Sequence, residues 1–324
     1  MNDQPRRWLV CRTDALGDSL LALPVAAAIK RLVPGSHVAC LVSDYTREIF
    51  AGHPDVDEVL AYEAEGAHAG RRGFRRLVEL IASRKFDAGL LVFPDARVSW
   101  AVWRAGVRQR VGTGRRLWSW LYTTRVPHSR AKAERHEADY NLDLLRALGL
   151  SPVLEPPRLS ARPEDLAWAQ ADLRQRGLEG GQRLVVIHPG GRGSSANWSL
   201  ENYRQLAGLL LADPDTRVLV TGAGLEQERN AAVFAAAWVL RETIRMPQLA
   251  ALIARADAVV AGNTGPAHLA AALGRPVVAL YPSAGVTGQV RWRPLGERVE
   301  VLGLDGLEPE TAAQAVRKAI RSGK

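Results

Sequence analysis

Three turns in the sequence combine small residues with groups able to act on an anion or a proton. They are Ala15-Leu16-Gly17-Asp18-Ser19, His188-Pro189-Gly190-Gly191-Arg192-Gly193-Ser194-Ser195 and Gly262-Asn263-Thr264-Gly265-Pro266-Ala267-His268. Each follows an apolar run and precedes a helical pattern, where small residues let the backbone approach an anion at a helix amino terminus. None matches G-x-G-x-x-G and none ends in the G-K-[ST] of a P-loop, so hydride transfer and nucleotide hydrolysis have no motif behind them. Asp18 differs in kind, because a carboxylate repels a phosphate. It reads either as a helix N-cap, worth about 1 kcal/mol, or as a general base that the helix dipole keeps ionised. His268, four residues beyond Thr264, is a lone histidine of the sort that is more often structural. Its place beside Thr264 and Gly265 turns the reading towards ligand contact.

Other chemistry is thin. The pairs Asp55-Val56-Asp57 and Asp213-Pro214-Asp215 read as turn residues. No spacing of histidine, cysteine or carboxylate suggests zinc, so neither metal nor cofactor is expected. Cys11 and Cys40 are too few for a disulfide framework and point to a reducing compartment. A net charge of +9 favours an anionic partner. Nine basic residues against the single acid Glu134 lie between Arg104 and Arg135, among them Arg108, Arg115 and Arg116. Trp100, Trp103, Trp118, Trp120 and Tyr122 are interleaved with them. A solvated arginine face over buried tryptophans, a lipid-headgroup surface and a single-strand nucleic-acid platform all fit that pattern. No nucleic-acid recognition motif accompanies it, so no nucleic-acid partner is expected.

These residues must be positioned by alternating strands and helices, the signature of parallel sheets covered by helices. Strands are expected at Trp8–Arg12, Val38–Val42, Val59–Ala61 and Gly89–Phe93, with a helix over Leu20–Leu32 that Pro24 starts or kinks. Four prolines in Pro152–Pro163 mark a linker. The pattern restarts with strands at Leu184–His188, Arg217–Thr221, Ala258–Ala261 and Val277–Tyr281. Ser199 caps one helix, Gly274 closes another, and Glu310–Ile320 reads as a closing helix. The expected organisation is α/β: two Rossmann-like domains, 1–155 and 181–324, with a linker and connecting helix over 156–180. Their parallel sheets are expected to face each other across a cleft. With 47% apolar residues the chain has ample material for two cores. Arg12, Asp14 and Asp18 interrupt the first apolar stretch, and no run is long enough to span a bilayer, so a cytoplasmic protein is expected.

At these residues the sequence resembles the ADP-heptose:lipopolysaccharide heptosyltransferases, glycosyltransferase family 9. The resemblance rests on Arg12 to Pro24, Pro54 to Val59, His188-Pro-Gly-Gly191, Asn197-Trp-Ser199 with Tyr203, and Gly222-Ala223 leading to Glu226-Gln-Glu-Arg229. Asn263 to His268 and Gly274 to Pro282 complete it. It implies the GT-B arrangement, with acceptor held by the first domain and donor by the second. It also implies an inverting, metal-independent transfer of heptose from a nucleotide sugar to an anionic glycolipid of the lipopolysaccharide inner core. Asp18 then matches the catalytic base. Gly190, Gly191, Arg192, Ser194, Ser195, Asn197, Glu226, Asn263, Thr264, Gly265 and His268 are the expected donor contacts. Arg104, Arg108, Arg115 and Arg116 are the expected acceptor contacts, at the inner face of the membrane. Two positions depart from the family pattern, which has lysine where Asn197 stands and aspartate where Asn263 stands. The first change removes a cation near the leaving diphosphate and the second removes an anion close by. A same-fold transferase with another donor or acceptor, and a non-catalytic binding protein, are the alternatives that a turnover assay separates.

Overall fold

The structure, a computed structural model, describes residues 5–127, 129–191, 196–223, 225–283 and 285–322. The chain divides into two compact units after Glu155.

The first unit runs β1 (Arg7–Arg12), α1 (Leu16–Leu20), α2 (Leu23–Leu32), β2 (His37–Ser43), α3 (Arg47–Phe50), β3 (Glu58–Tyr62) and α4 (Gly70–Ala82). It continues with β4 (Ala88–Leu91), α5 (Ala96–Arg104), β5 (Gln109–Thr113), β6 (Thr124–Val126) and α6 (Glu137–Arg146). Its strands form one sheet in the order β3-β2-β1-β4-β5-β6, every described pairing parallel. The second unit runs α7 (Pro163–Gln175), β7 (Arg183–His188), α8 (Leu200–Leu211), β8 (Thr216–Val220), α9 (Leu225–Val233), β9 (Trp238–Val239) and α10 (Met246–Ala254). It ends with β10 (Ala258–Ala261), α11 (Gly265–Ala272), β11 (Val277–Tyr281), α12 (Gln289–Trp292), β12 (Val299–Gly303) and α13 (Pro309–Arg321). Its parallel sheet has the order β12-β11-β10-β7-β8-β9.

Central strands carry continuous apolar runs because helices cover both faces of a parallel sheet. β4, β10 and β11 are buried at every residue. The strands that the sequence hides lie towards the edges. β5 and β6 carry Arg110 and Arg125, β9 has two residues, and β12 is only half-buried. A strand with one wet face or one neighbour does not need an apolar run.

The helix expected over Leu20–Leu32 is two helices. Pro24 has no N–H to donate to the Leu20 carbonyl one turn back, so α1 stops at Leu20 and α2 begins at Leu23 with the proline in its first turn. Gly274 ends α11 with a φ of +68°, a conformation that favours glycine. No helix among the described residues is long and apolar enough to cross a membrane.

Candidate functional site

In each sheet the strand order reverses at one point, where the connections leave for opposite faces and open a crevice at the strand carboxyl ends. In the first unit that point lies between β1 and β4, and the Asp18 turn follows β1. In the second it lies between β7 and β10, and the other two turns follow those strands. All three turns therefore flank the place where open α/β sheets bind ligands.

Asp18 is not an N-cap. Ala15 holds that position without a side-chain bond, and Asp18 sits inside the first turn of α1. Its carboxylate is instead paired with Arg12, the last residue of β1. Arg12 is only 3% exposed and binds three acids: Asp14 at 2.8 Å through Nε, Glu137 at 3.0 Å through Nη1, and Asp18 through Nη2. Glu137, the first residue of α6, is 1% exposed and also receives Arg130. Asn141, one turn further along α6, accepts from Arg12 at 3.4 Å and donates to the Leu21 carbonyl at 2.9 Å. A network with no local sequence signal thus joins the end of β1, the α1–α2 junction and α6. Burial works against the charge on Arg12, but its three carboxylates more than offset this and hold the guanidinium above its ordinary pKa.

Three carboxylates share the Arg12 guanidinium, and the surplus negative charge around it falls on Asp14. Burial pushes its carboxyl up to about 6; Arg12 opposes the shift and Asp18 adds to it. The folded chain then holds a proton that the unfolded chain, ionising near the ordinary 3.8, has already released. Stability should fall as pH rises from about 4 to about 6 and stay lower above. Asp14→Asn removes this dependence. The variant should exceed the parent by on the order of 2 kcal/mol at pH 7 and by nothing below pH 4. Urea unfolding at three pH values checks this, and a pH-independent gain would show that Asp14 does not carry the surplus charge.

In the second unit the turns after β7 and β8 are tied together. Both oxygens of Glu226 accept backbone N–H groups, from Gly191 at 3.1 Å and Ala223 at 3.2 Å. A Cβ at Gly190 would run into that carboxylate, which explains the glycine there. His188, at the end of β7, lies 2.9 Å from the Thr221 hydroxyl, and burial pushes its pKa down to about 4, so the ring is neutral at physiological pH. Asn197 is absorbed into the same framework. Its Nδ2 donates to the Pro189 carbonyl at 2.9 Å, and its Oδ1 accepts from the Trp198 N–H at 3.0 Å and the Tyr203 hydroxyl at 3.2 Å. Among the described residues the second N–H of the amide has no hydrogen-bond acceptor. Asn263 donates to the Thr287 carbonyl at 3.2 Å.

One expectation about this unit is met and another is corrected. Ser199 caps α8 as expected, and the helix begins at Leu200, several residues beyond the glycines of the turn after β7. The Ser199 hydroxyl accepts the Asn202 N–H at 3.0 Å. Of the expected donor contacts in that turn, Gly190 and Gly191 are described, while Arg192, Ser194 and Ser195 lie outside the described residues. The α11 terminus offers less backbone than expected. Pro266 has no N–H, and that of Ala267 closes on the Thr264 carbonyl at 3.1 Å, so among the described residues of this turn Gly265 is the amide left open. His268 is buried, as are all residues of α11 from Pro266 to Ala272.

The basic stretch does not form one surface either. Arg110 is bound to the carbonyls of Leu121, Val107 and Arg108, Arg130 to Glu137, and Arg135 to Asp139 and Asp143. Of the four expected acceptor contacts, Arg104 and Arg108 precede β5 and Arg115 and Arg116 follow it. The strand's five residues, at about 3.3 Å each, place the two pairs near opposite edges of the sheet. All four are exposed, although Arg115 donates to the Pro127 carbonyl at 3.2 Å.

Comparison with known proteins agrees with this geometry. Residues 74–320 match the model of glycosyltransferase family 9 (heptosyltransferase). A provisionally named glycosyltransferase of Haemophilus influenzae is 30% identical over 303 residues, 89% of this chain and 86% of that protein. Lipopolysaccharide heptosyltransferase 1 of Escherichia coli strain K12 is 29% identical over 85% of this chain and 87% of its own length. Among solved structures, the family 9 glycosyl transferase of Veillonella parvula superposes with a TM-score of 0.87 at 20% identity, covering 98% of this chain and 97% of that one. The E. coli heptosyltransferase WaaC with ADP-2-deoxy-2-fluoro heptose gives 0.71 at 25% identity, over 98% and 100%. The chain belongs to glycosyltransferase family 9, the heptosyltransferase family, and is a glycosyltransferase.

Proposed function

We propose that this glycosyltransferase moves a heptose from ADP-heptose onto the inner core of lipopolysaccharide or a related anionic glycolipid, with inversion and without a metal. The observation that carries the reading is the Asp18 carboxylate at the switch point of the first sheet, fixed by a buried arginine. The acceptor hydroxyl gives its proton to Asp18 as its oxygen attacks the anomeric carbon, and the bond to the diphosphate breaks on the opposite side. Asp14 and Glu137 share that guanidinium with Asp18. The WaaC structure with an ADP-heptose analogue supports the donor class. In this reading the first unit, residues 1–155, holds the acceptor and the second holds the nucleotide sugar.

On the donor side, the Gly265 N–H, the Thr264 hydroxyl and the spare N–H of Asn197 meet the diphosphate, with Arg192, Ser194 and Ser195 supplying the rest. Glu226, Asn263 and His268 complete the nucleotide pocket. The arginines after β5, Arg115 and Arg116, stand at the same sheet edge as Asp18 and hold the anionic acceptor beside it; Arg104 and Arg108 contact it further away.

The test pairs binding with turnover. ADP-heptose should raise the melting temperature more than UDP- or GDP-sugars do, since a tight ligand stabilises by mass action. ADP release onto a water-soluble fragment of the acceptor should stay within about twofold in excess EDTA, as helix termini and side-chain donors carry the leaving charge. Loss of activity that Mg²⁺ or Mn²⁺ restores would overturn the metal-free mechanism. Asn197 and Asn263, both engaged inside their own unit, favour a second reading in which the donor is a different nucleotide sugar. Turnover with a UDP- or GDP-sugar and not with ADP-heptose would establish it.

A further inference from the structure

One face of the first unit carries an apolar surface, around Leu117, Trp120 and Trp100, that has no part in the proposed transfer reaction. The β5–β6 connection, residues 114–123, has only a 3-10 turn at Ser119–Leu121 and leaves large apolar side chains in solvent. Leu117 is 95% exposed, Trp120 54% and, on the adjoining α5, Trp100 38%. Trp100, Trp103 and Trp120 pack edge to face, with ring centroids 5.3 to 6.1 Å apart. Around this patch the charge is one-sided. Helix α4, helix α5 and residues 114–123 together carry eight arginines and no lysine, against the single acid Glu79. Four of the arginines are on α4, Arg97 and Arg104 are on α5, and Arg115 and Arg116 stand beside Leu117. Between α4 and α5 a groove of about 590 Å³ is lined by Phe74 and Val78 with Arg71, Arg75, Arg97 and Arg104 around them.

We propose that this face docks on a bilayer containing anionic phospholipid, with Leu117, Trp120 and Trp100 entering the headgroup region and the α4 arginines and Arg97 lying on the phosphates. An exposed leucine beside tryptophans, ringed by arginine, suits the boundary between water and acyl chains, where amphipathic rings settle and arginine binds phosphate bidentately. A single-stranded nucleic acid needs open ring faces on which to stack, and these three indoles are turned edge to face against one another. A second copy of the chain would bring the same arginine-rich face against itself. The proposal deepens the reading of a lipid-linked acceptor and rests on it for its purpose, but docking is measured with neither donor nor acceptor present.

The experiment is flotation of the full chain with vesicles of phosphatidylcholine alone or with about one third phosphatidylglycerol. The chain should float with the anionic vesicles, far less with the neutral ones, and less as salt rises. Leu117→Ser should weaken binding about tenfold, the scale of one apolar side chain removed from the membrane, and Leu117→Trp should strengthen it severalfold. At a position so exposed neither change should move Tm. Turnover on a water-soluble acceptor fragment should stay unchanged in both. No flotation of the parent chain overturns the proposal, as does flotation that ignores both substitutions, which would make adsorption purely electrostatic. A dimer that Leu117→Ser turns into a monomer, or oligonucleotide binding lost in Trp120→Ser while flotation persists, also overturns it. A chain that floats as expected but transfers no sugar would sink the transferase reading and leave the docking intact.

Discussion

Asp18→Asn should fold as the parent does and turn over about 10²- to 10⁴-fold more slowly, the usual worth of a positioned general base. The structure makes the substitution a clean probe. Asp18 caps no helix, so no backbone N–H loses its acceptor. Asparagine has nearly the same shape, and its oxygen can still receive the Arg12 Nη2 proton. Removing one negative charge from the three carboxylates that share Arg12 relieves the surplus around it instead of adding to it. Melting temperature should therefore hold or rise while kcat falls. Donor affinity, measured by calorimetry, should not change, because the turns proposed to bind the donor belong to the other unit. Asp14 is the control. It is 20% exposed against 24% for Asp18 and shares the same arginine, so accessibility does not separate them. Asp14→Asn should cost far less turnover than Asp18→Asn. Turnover of Asp18→Asn within a few-fold of the parent would remove it as the base, and the larger loss would then be looked for in Asp14→Asn.

The contrast between Asp18 and its surroundings shows what a sequence can carry. Asp18 is legible because its turn is local: an apolar strand, small residues and a helix within a dozen positions. The central strands are legible for the same reason, since burial on both faces demands an unbroken apolar run. Arg12 is not. A charged residue at the end of a strand ordinarily marks the point where the chain reaches water, and here it is buried because Glu137 and Asn141, 125 and 129 residues away, meet it. No periodicity spans that distance. The arginine-rich stretch misleads in the opposite sense. Its charges are adjacent in sequence, but β5 runs through them and the fold consumes Arg110, Arg130 and Arg135 internally. Asn197 reads as a lost cation by comparison with a family pattern; its present bonds to Pro189, Trp198 and Tyr203 become visible only once the turn after β7 is folded over α8.

Arg12 carries the other large expected effect, and it acts on stability and on rate by separable routes. Arg12→Met takes from Asp14, Asp18 and Glu137 the guanidinium they share, and Glu137 is 1% exposed. Removing one partner of a buried ion pair costs about 3 to 5 kcal/mol, which is a large part of a typical domain's stability. The variant is expected to unfold at much lower urea or to be recovered unfolded. Arg12→Lys keeps the charge and should keep the fold, but an ammonium is a point donor on a flexible stem. It cannot grip three carboxylates in the fixed directions of Nε, Nη1 and Nη2. Asp18 then loses its orientation, and kcat should fall at least tenfold, about 1.4 kcal/mol of transition-state stabilisation, with donor KM unchanged. Arg12 opposes the upward shift of the Asp14 carboxyl, so weaker pairing should move the pH span over which stability falls upward in the lysine variant. A merely structural role would lower the yield of folded protein without moving that span. The electrostatic origin of the effect is tested by a cycle with Glu137→Gln. If the buried charges act as a unit, Arg12→Gln costs less in the Glu137→Gln background than alone, by on the order of 1 to 3 kcal/mol. Additive costs would mean that Arg12 holds the site by packing, and its influence on Asp18 would have to be sought in shape and not in charge.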